Sequence, residues 1–180
     1  MCLITRQQKS ITAKKDIVVF KQIKVNPVMT NDENIIEYMS PYNHFYWKKG
    51  VTYKQKMMFT NKNKLVKRYI IHVYDFTCRE YYFVGFTTLE CLRYPESRII
   101  QNGFHAAISP KRFAKFQYLK TYPFVIPKGA KYYLDDTGLI VSNIMKIHDD
   151  LIDVTDYDND YVALLYGKNM LNIKIPSVIR

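Results

Sequence analysis

The sequence predicts an α+β fold: one domain built on a twisted mixed or antiparallel sheet in two packed parts, with short helices at its margin. Three observations carry that expectation. Segments rich in β-branched and aromatic residues recur between turn signals, while few stretches keep a helical period. Residues 103–134 place a sharp Gly-Phe-His-Ala turn, a capped amphipathic helix and a strand closed by Pro127-Lys128-Gly129 directly after one another. At 180 residues, 48% of them apolar and 24% charged, the chain is long enough to bury one core without staples and too apolar for wholesale disorder.

Residues 17–25 begin as a continuous apolar run and end in alternation, the pattern of a buried strand reaching an edge; Pro27 is expected to stop it. Residues 29–47 lack a steady period and read as a loop with a short helical turn at 33–38. A second strand starts at 50–53. Residues 69–74 and 81–84 are strands by composition, joined through 75–80 as a hairpin. Thr87 or Thr88 caps a short helix running to Leu92, ended by Pro95. Residues 99–100 and 103–106 form a strand interrupted at Asn102-Gly103. Ser109-Pro110 then pairs an N-cap with a first-turn proline, and Phe113 and Phe116 share one helix face opposite Lys111, Arg112 and Lys115. Strands follow at 124–126, 131–134, 139–141 and, after a Ser142-Asn143 kink, 144–147. Residues 148–160 are an acidic loop, and 161–166 with 171–175 make a terminal hairpin. The expected organisation is one domain over 1–180, with 1–15 a loose N-terminal segment and 148–180 an acidic extension.

The net charge of +11 is unevenly spread. Residues 1–134 carry 23 Lys and Arg against 8 Asp and Glu, whereas 135–180 carry 4 against 8. With 16 Tyr and 10 Phe, such a basic body suits nucleic acid, because cations neutralise phosphates and aromatic faces stack on bases. The competing explanation is a Lys- and Tyr-rich coding bias with solvated lysines. The acidic segment either screens the basic face or lies opposite it. Cys2, Cys78 and Cys91 are odd in number and lack CxxC spacing, which argues against a disulfide framework and a zinc site. No apolar run approaches a membrane span or a signal peptide, so the expected setting is the cytoplasm of the producing cell, or a virion interior.

His105 is the candidate ligand residue, since a Gly and two alanines beside it let a ligand or another backbone come close. The alternative is a core histidine bonded to a carbonyl. Tyr42, Phe45, Tyr46 and Trp47 followed by Lys48 and Lys49 form the densest aromatic-basic cluster; it stacks a base, or it anchors a loop on the core. The tentative ligand set is therefore His105, Lys21, Tyr46, Trp47 and Ser109, with Lys48, Lys49, Lys111, Arg112 and Lys115 as phosphate contacts. Residues 156–160 (DYDND) start like a calcium loop but place Tyr161 where Gly is needed and Gly167 where the bidentate Glu belongs. No Ser-His-Asp order, GxxxxGK or HExxH occurs, and neither a catalytic residue, a metal nor a cofactor is expected.

IVVFK at 17–21, the Gly-Phe-His turn at 103–105, IPKGAKYY at 126–133 and IVSN at 140–143 together resemble small uncharacterised proteins of bacteriophages and gut Bacteroidetes, over residues 16–147. That resemblance implies a phage-related protein and brings no activity with it. The Pro127 turn with Tyr132-Tyr133 is similar, more distantly, to the mono-ADP-ribosyltransferase fold. Those enzymes use an Arg or His on a first strand, a Ser-Thr-Ser on a middle strand, and a Glu a few residues before the turn. Here the Glu position falls on Pro123, the first strand offers Lys21, and the middle motif is Phe104-His105-Ala106. The resemblance therefore implies the fold and not the transfer reaction, because Pro cannot stabilise an oxocarbenium-like centre. The leading expectation is a non-catalytic accessory or binding protein that contacts nucleic acid, a nucleotide or a protein. The alternatives are a transferase-like enzyme or nucleotide binder using His105, and a virion component.

Overall fold

The computed structural model describes residues 3–5, 7, 9–29, 34–41, 45–60, 70–75, 80–85, 98–100, 102–113 and 118–171. Their strands are β1 (Leu3–Thr5), β2 (Ile11–Thr12), β3 (Ile17–Met29), β4 (Asn34–Ser40), β5 (Phe45–Trp47), β6 (Thr52–Lys54), β7 (Phe59–Thr60), β8 (Ile70–Asp75), β9 (Glu80–Gly85), β10 (Arg98–Ile100), β11 (Phe104–Ala107), β12 (Lys120–Ile126), β13 (Lys131–Leu134), β14 (Leu139–Ser142) and β15 (Ile144–Ile147). Every pairing among these described strands is antiparallel, and an isolated bridge, Val18 to Met170, is parallel. One α-helix, α1 (Asn159–Tyr166), is present among the described residues.

The architecture is thus β-rich, which corrects the expected α+β class. The helix signal at Ser109-Pro110 produces only a 3₁₀ turn, Pro110–Arg112. Ser109 caps it as expected, accepting from the Lys111 N–H, but Phe113 already has extended φ and ψ. Its apolar side chain packs against Val18 and Phe20 without a helix to carry it. The expected helix at 87–92 lies outside the described residues.

The main sheet runs β2-β13-β14-β11-β3-β12-β15-β6, with β4 on β3 and β5 on β4. Asn143 alone separates β14 from β15, so these two are halves of one kinked strand. Its N–H donates to Lys131 O, its side-chain Oδ1 accepts from the Lys131 N–H, and its carbonyl accepts from Gln55 N. Because β14 pairs β11 and β15 pairs β12, with only β3 between them, the sheet rolls back on itself. Its interior holds Val19, Ile23, Trp47, Phe104, Ala106, Phe124, Ile126, Ile140, Met145 and Ile147.

Strand β3 is the spine. Pro27 does not stop it: β3 spans 13 residues, and Pro27 sits opposite Ile36 of β4. Residues 24–29 pair with β4 alone among the described strands, and an edge tolerates a residue without an N–H. Of the turn expected at 33–38, residues 34–38 are correspondingly part of β4, and residue 33 lies outside the described residues. Alternation along β3 puts Val19 and Ile23 inside, and Val18 and Phe20 outside.

The acidic extension covers that outer face. Val154 N–H donates to Thr121 O, and Thr121 N–H to Thr155 Oγ1, so the segment follows β12. Residues 161–166, expected as a hairpin arm, are helical instead. Asp158 Oδ1 caps α1 through Tyr161 N at 2.7 Å, and Val162 and Tyr166, four apart, bury one face against Val18 and Phe20. A six-residue apolar run fits strand and helix alike, and the cap decides it. This segment forms the ion pairs Lys120–Asp153 and Lys146–Asp149, at 3.2 and 3.6 Å on the surface.

Of residues 1–15, expected to be loose, Leu3 and Ala13 are buried, β1 pairs β10, and Thr5 Oγ1 donates to Leu134 O. Strands β8 and β9 pair in the register Asp75 opposite Glu80. No helix among the described residues is long and apolar enough to cross a membrane.

Candidate ligand cleft

One end of the rolled sheet opens into a cleft of ≈ 380 Å³ whose lining includes Lys21, Ser40, Trp47, Tyr53, Phe104 and His105. Each side chain is placed by strand alternation. On β3, Lys21 lies between Val19 and Ile23, both interior, so it projects a cation onto the apolar face. On β5, alternation buries Trp47 and turns Tyr46 out. On β11, Phe104 and Ala106 join the interior cluster.

Lys21 Nζ donates to the carbonyl oxygen of His105 at 2.8 Å and stands 5.8 Å from the Trp47 ring centroid. The first contact ties the ammonium to β11; the second is a cation–π contact. Burial lowers the Lys21 pKa from the ordinary 10.5 to about 8, because the charged form has lost much of its water. Among the described residues the lining contains the cationic side chains of Lys21 and Lys54 and no Asp or Glu. The described part of the site is therefore cationic.

Around that ammonium the aromatic rings meet edge to face, except for the tilted Trp47–Phe104 pair. Trp47 lies 4.8 Å from Phe45, 5.2 Å from Tyr53, 5.2 Å from Phe104 and 4.9 Å from Phe124. Its Nε1–H donates to Ser40 Oγ at 2.8 Å, which satisfies the one polar group of a side chain only 2% exposed. Tyr53 Oη accepts from the Lys48 N–H at 3.0 Å and so holds the turn between β5 and β6. The rim beyond carries exposed Lys54 and Gln55.

The residues expected to bind ligand separate into two groups. Lys21, Trp47 and His105 converge on the cleft, His105 through its main-chain carbonyl. Its side chain belongs to the opposite face of β11, because its partner Val141 packs in the cluster of Leu3 and Ile100 outside the roll. Tyr46 is 49% exposed on the other side of β5. Ser109 caps the 3₁₀ turn, and its hydroxyl meets Asn159 Oδ1 at 3.1 Å. Lys48, Lys49, Lys111 and Arg112 are exposed and outside the lining, and Lys115 lies outside the described residues. Comparisons with protein families, with curated proteins and with solved structures find no match to this chain.

Reading the sequence residue by residue misses Ser40, Tyr53 and Phe104 as partners of Lys21. The available signal was Lys21 itself, a cation in phase with the apolar positions of a buried strand. Among the described residues no cluster of His, Cys, Asp or Glu is arranged to hold a metal.

Proposed function

We propose that this protein is a non-catalytic binding protein whose cleft takes a small aromatic or heteroaromatic molecule bearing an acidic oxygen group, a nucleotide or an aromatic carboxylate. The observation that carries the reading is the Lys21 ammonium in a lining that holds Trp47, Tyr53 and Phe104 and, among the described residues, no carboxylate. A partly buried cation is costly unless something of opposite charge answers it, and a bound anion does so. Aromatic walls favour a planar body, and the volume suits a small molecule rather than a polymer strand. Of the described exposed lysines Lys54 lies on the rim, while Lys48, Lys49 and Lys111 lie outside the lining, which favours this reading over a nucleic-acid track.

Thermal unfolding with a panel of nucleoside monophosphates and aromatic carboxylates tests it. Binding raises Tm in proportion to ligand excess, and Lys21→Met removes the rise while the variant still unfolds cooperatively. A flat response across the whole panel removes the support for the reading.

A further inference from the structure

We propose that Lys21 is a carbonyl-capturing nucleophile, its side-chain amine condensing with an aromatic aldehyde seated against Trp47, Tyr53 and Phe104 to form an imine. The inference rests on the cleft reading above and names a narrower ligand class. Its geometric basis is the position of Nζ, fixed at 2.8 Å from the His105 carbonyl and facing the aromatic rings of an open cleft. That hydrogen bond needs only one N–H. A neutral amine therefore keeps it and still presents its lone pair to the cleft.

Enclosure also supplies the reactive form. Near pH 7.5 an ordinary lysine is neutral in about one molecule in a thousand, whereas at a pKa of about 8 roughly one in four is. Desolvation in an apolar pocket is a recognised way to activate a lysine. The titratable groups packed around Lys21 are Tyr53 and Lys54 on β6, Tyr38 on β4 and Tyr122, its register partner on β12; among the described residues no carboxylate lines the cleft, and the His105 carbonyl and the Trp47 ring are the contacts that favour the charged form.

The step balances without a co-reactant. The nitrogen lone pair adds to the carbonyl carbon, and the oxygen gains the proton that nitrogen loses, giving a carbinolamine. The C–O bond then breaks, oxygen departs as water with the second nitrogen proton, and the C=N bond forms. Amine and aldehyde thus yield imine and water.

The test treats the full chain with 4-formylbenzoate and cyanoborohydride, which traps imines as secondary amines, followed by peptide mapping. Lys21 is expected to be modified at least about tenfold faster than exposed Lys48, Lys49 and Lys54, with a rate that levels off above about pH 8. Terephthalate, equally planar but with a second carboxylate in place of the aldehyde, is expected to slow the reaction and raise Tm. Lys21→Arg keeps the charge and loses the adduct. Equal labelling of all lysines, or no Lys21 adduct, overturns the inference. If terephthalate then still raises Tm, the binding reading survives alone; if it does not, both fall. Should the Arg variant fail to fold, the site-resolved rates on the unmodified chain decide the matter.

Discussion

Lys21 Nζ donates to the backbone oxygen of His105 across 2.8 Å, one residue along β3 and two along β11 from the Phe20–Ala107 register pair that joins the strands. A cation on the interior face of the sheet's spine is thereby bonded to its neighbouring strand. The same side chain contributes to the cleft and weakens the fold. Charge there is unfavourable, and one carbonyl dipole only partly offsets the lost hydration.

Stability should consequently rise with pH between about 8 and 10. The folded Lys21 gives up its proton near 8, while the unfolded chain holds it to about 10.5, so the unfolded state binds more protons in this window. Lys21→Met should stabilise the protein at pH 7 by on the order of 2 kcal/mol, discounted for solvent reaching the cleft, and should abolish the rise. Above that window Tyr38, Tyr122, Tyr132 and Tyr166, all raised by burial, act in the opposite sense. Their stabilisation is present below the unfolded value and is lost as pH climbs through the folded one. Urea melts of both chains at pH 7 and 9.5 check this. A Met variant that is less stable at pH 7 and keeps the slope contradicts it.

The indole–hydroxyl bond between Trp47 and Ser40 should be worth more than its net strength suggests. Ser40→Ala leaves the buried Nε1–H without an acceptor, at an expected cost of about 1–3 kcal/mol. In a Trp47→Phe background that donor is gone, and the same change should cost less than about 1 kcal/mol. A double-mutant cycle by denaturant melts measures the difference. Additive effects would show that the bond contributes nothing beyond packing.

Much of the strand content was legible and the class was not, for reasons visible in particular residues. The period-two phase of residues 17–25 identified β3, and the Asn143 kink was readable beside Ser142. Pro27 misled because a proline reads as a stop unless the strand is known to be an edge there. Ser109-Pro110 is a sound cap, but a cap specifies only how a helix begins, and the tertiary demand on Phe113 ended this one within a turn. The Tyr161–Tyr166 run carried no period decisive enough to outweigh its apolar content, although Asp158 stood ready to cap it. In the cleft, Lys21 and Trp47 were recognisable singly. Their meeting with Ser40, Tyr53 and Phe104 depends on sheet closure through β14 and β15, which is a long-range property that no local window contains.

Gly103 closes the argument about small residues beside the cleft. At φ +126° it occupies a backbone region that side chains rarely adopt, and a Cβ there would meet Met57 Cγ at 3.1 Å, Ser142 O at 3.2 Å and Val141 Cγ1 at 3.3 Å. The close approach that the Gly-Phe-His-Ala sequence suggested is thus made by backbone from β14. Gly103→Ala should cost about 2–4 kcal/mol, combining conformational strain with displacement of packed atoms. Gly129, at φ +85° with nothing within 4 Å of its Cβ position, provides the comparison, and its Ala variant should lose only about 1 kcal/mol. Because Gly103 precedes Phe104 on β11, its substitution should also weaken ligand-induced Tm shifts, whereas Gly129→Ala should leave them intact. Equal losses in the two variants would mean that strain alone, and not the contact with β14, makes glycine necessary at position 103.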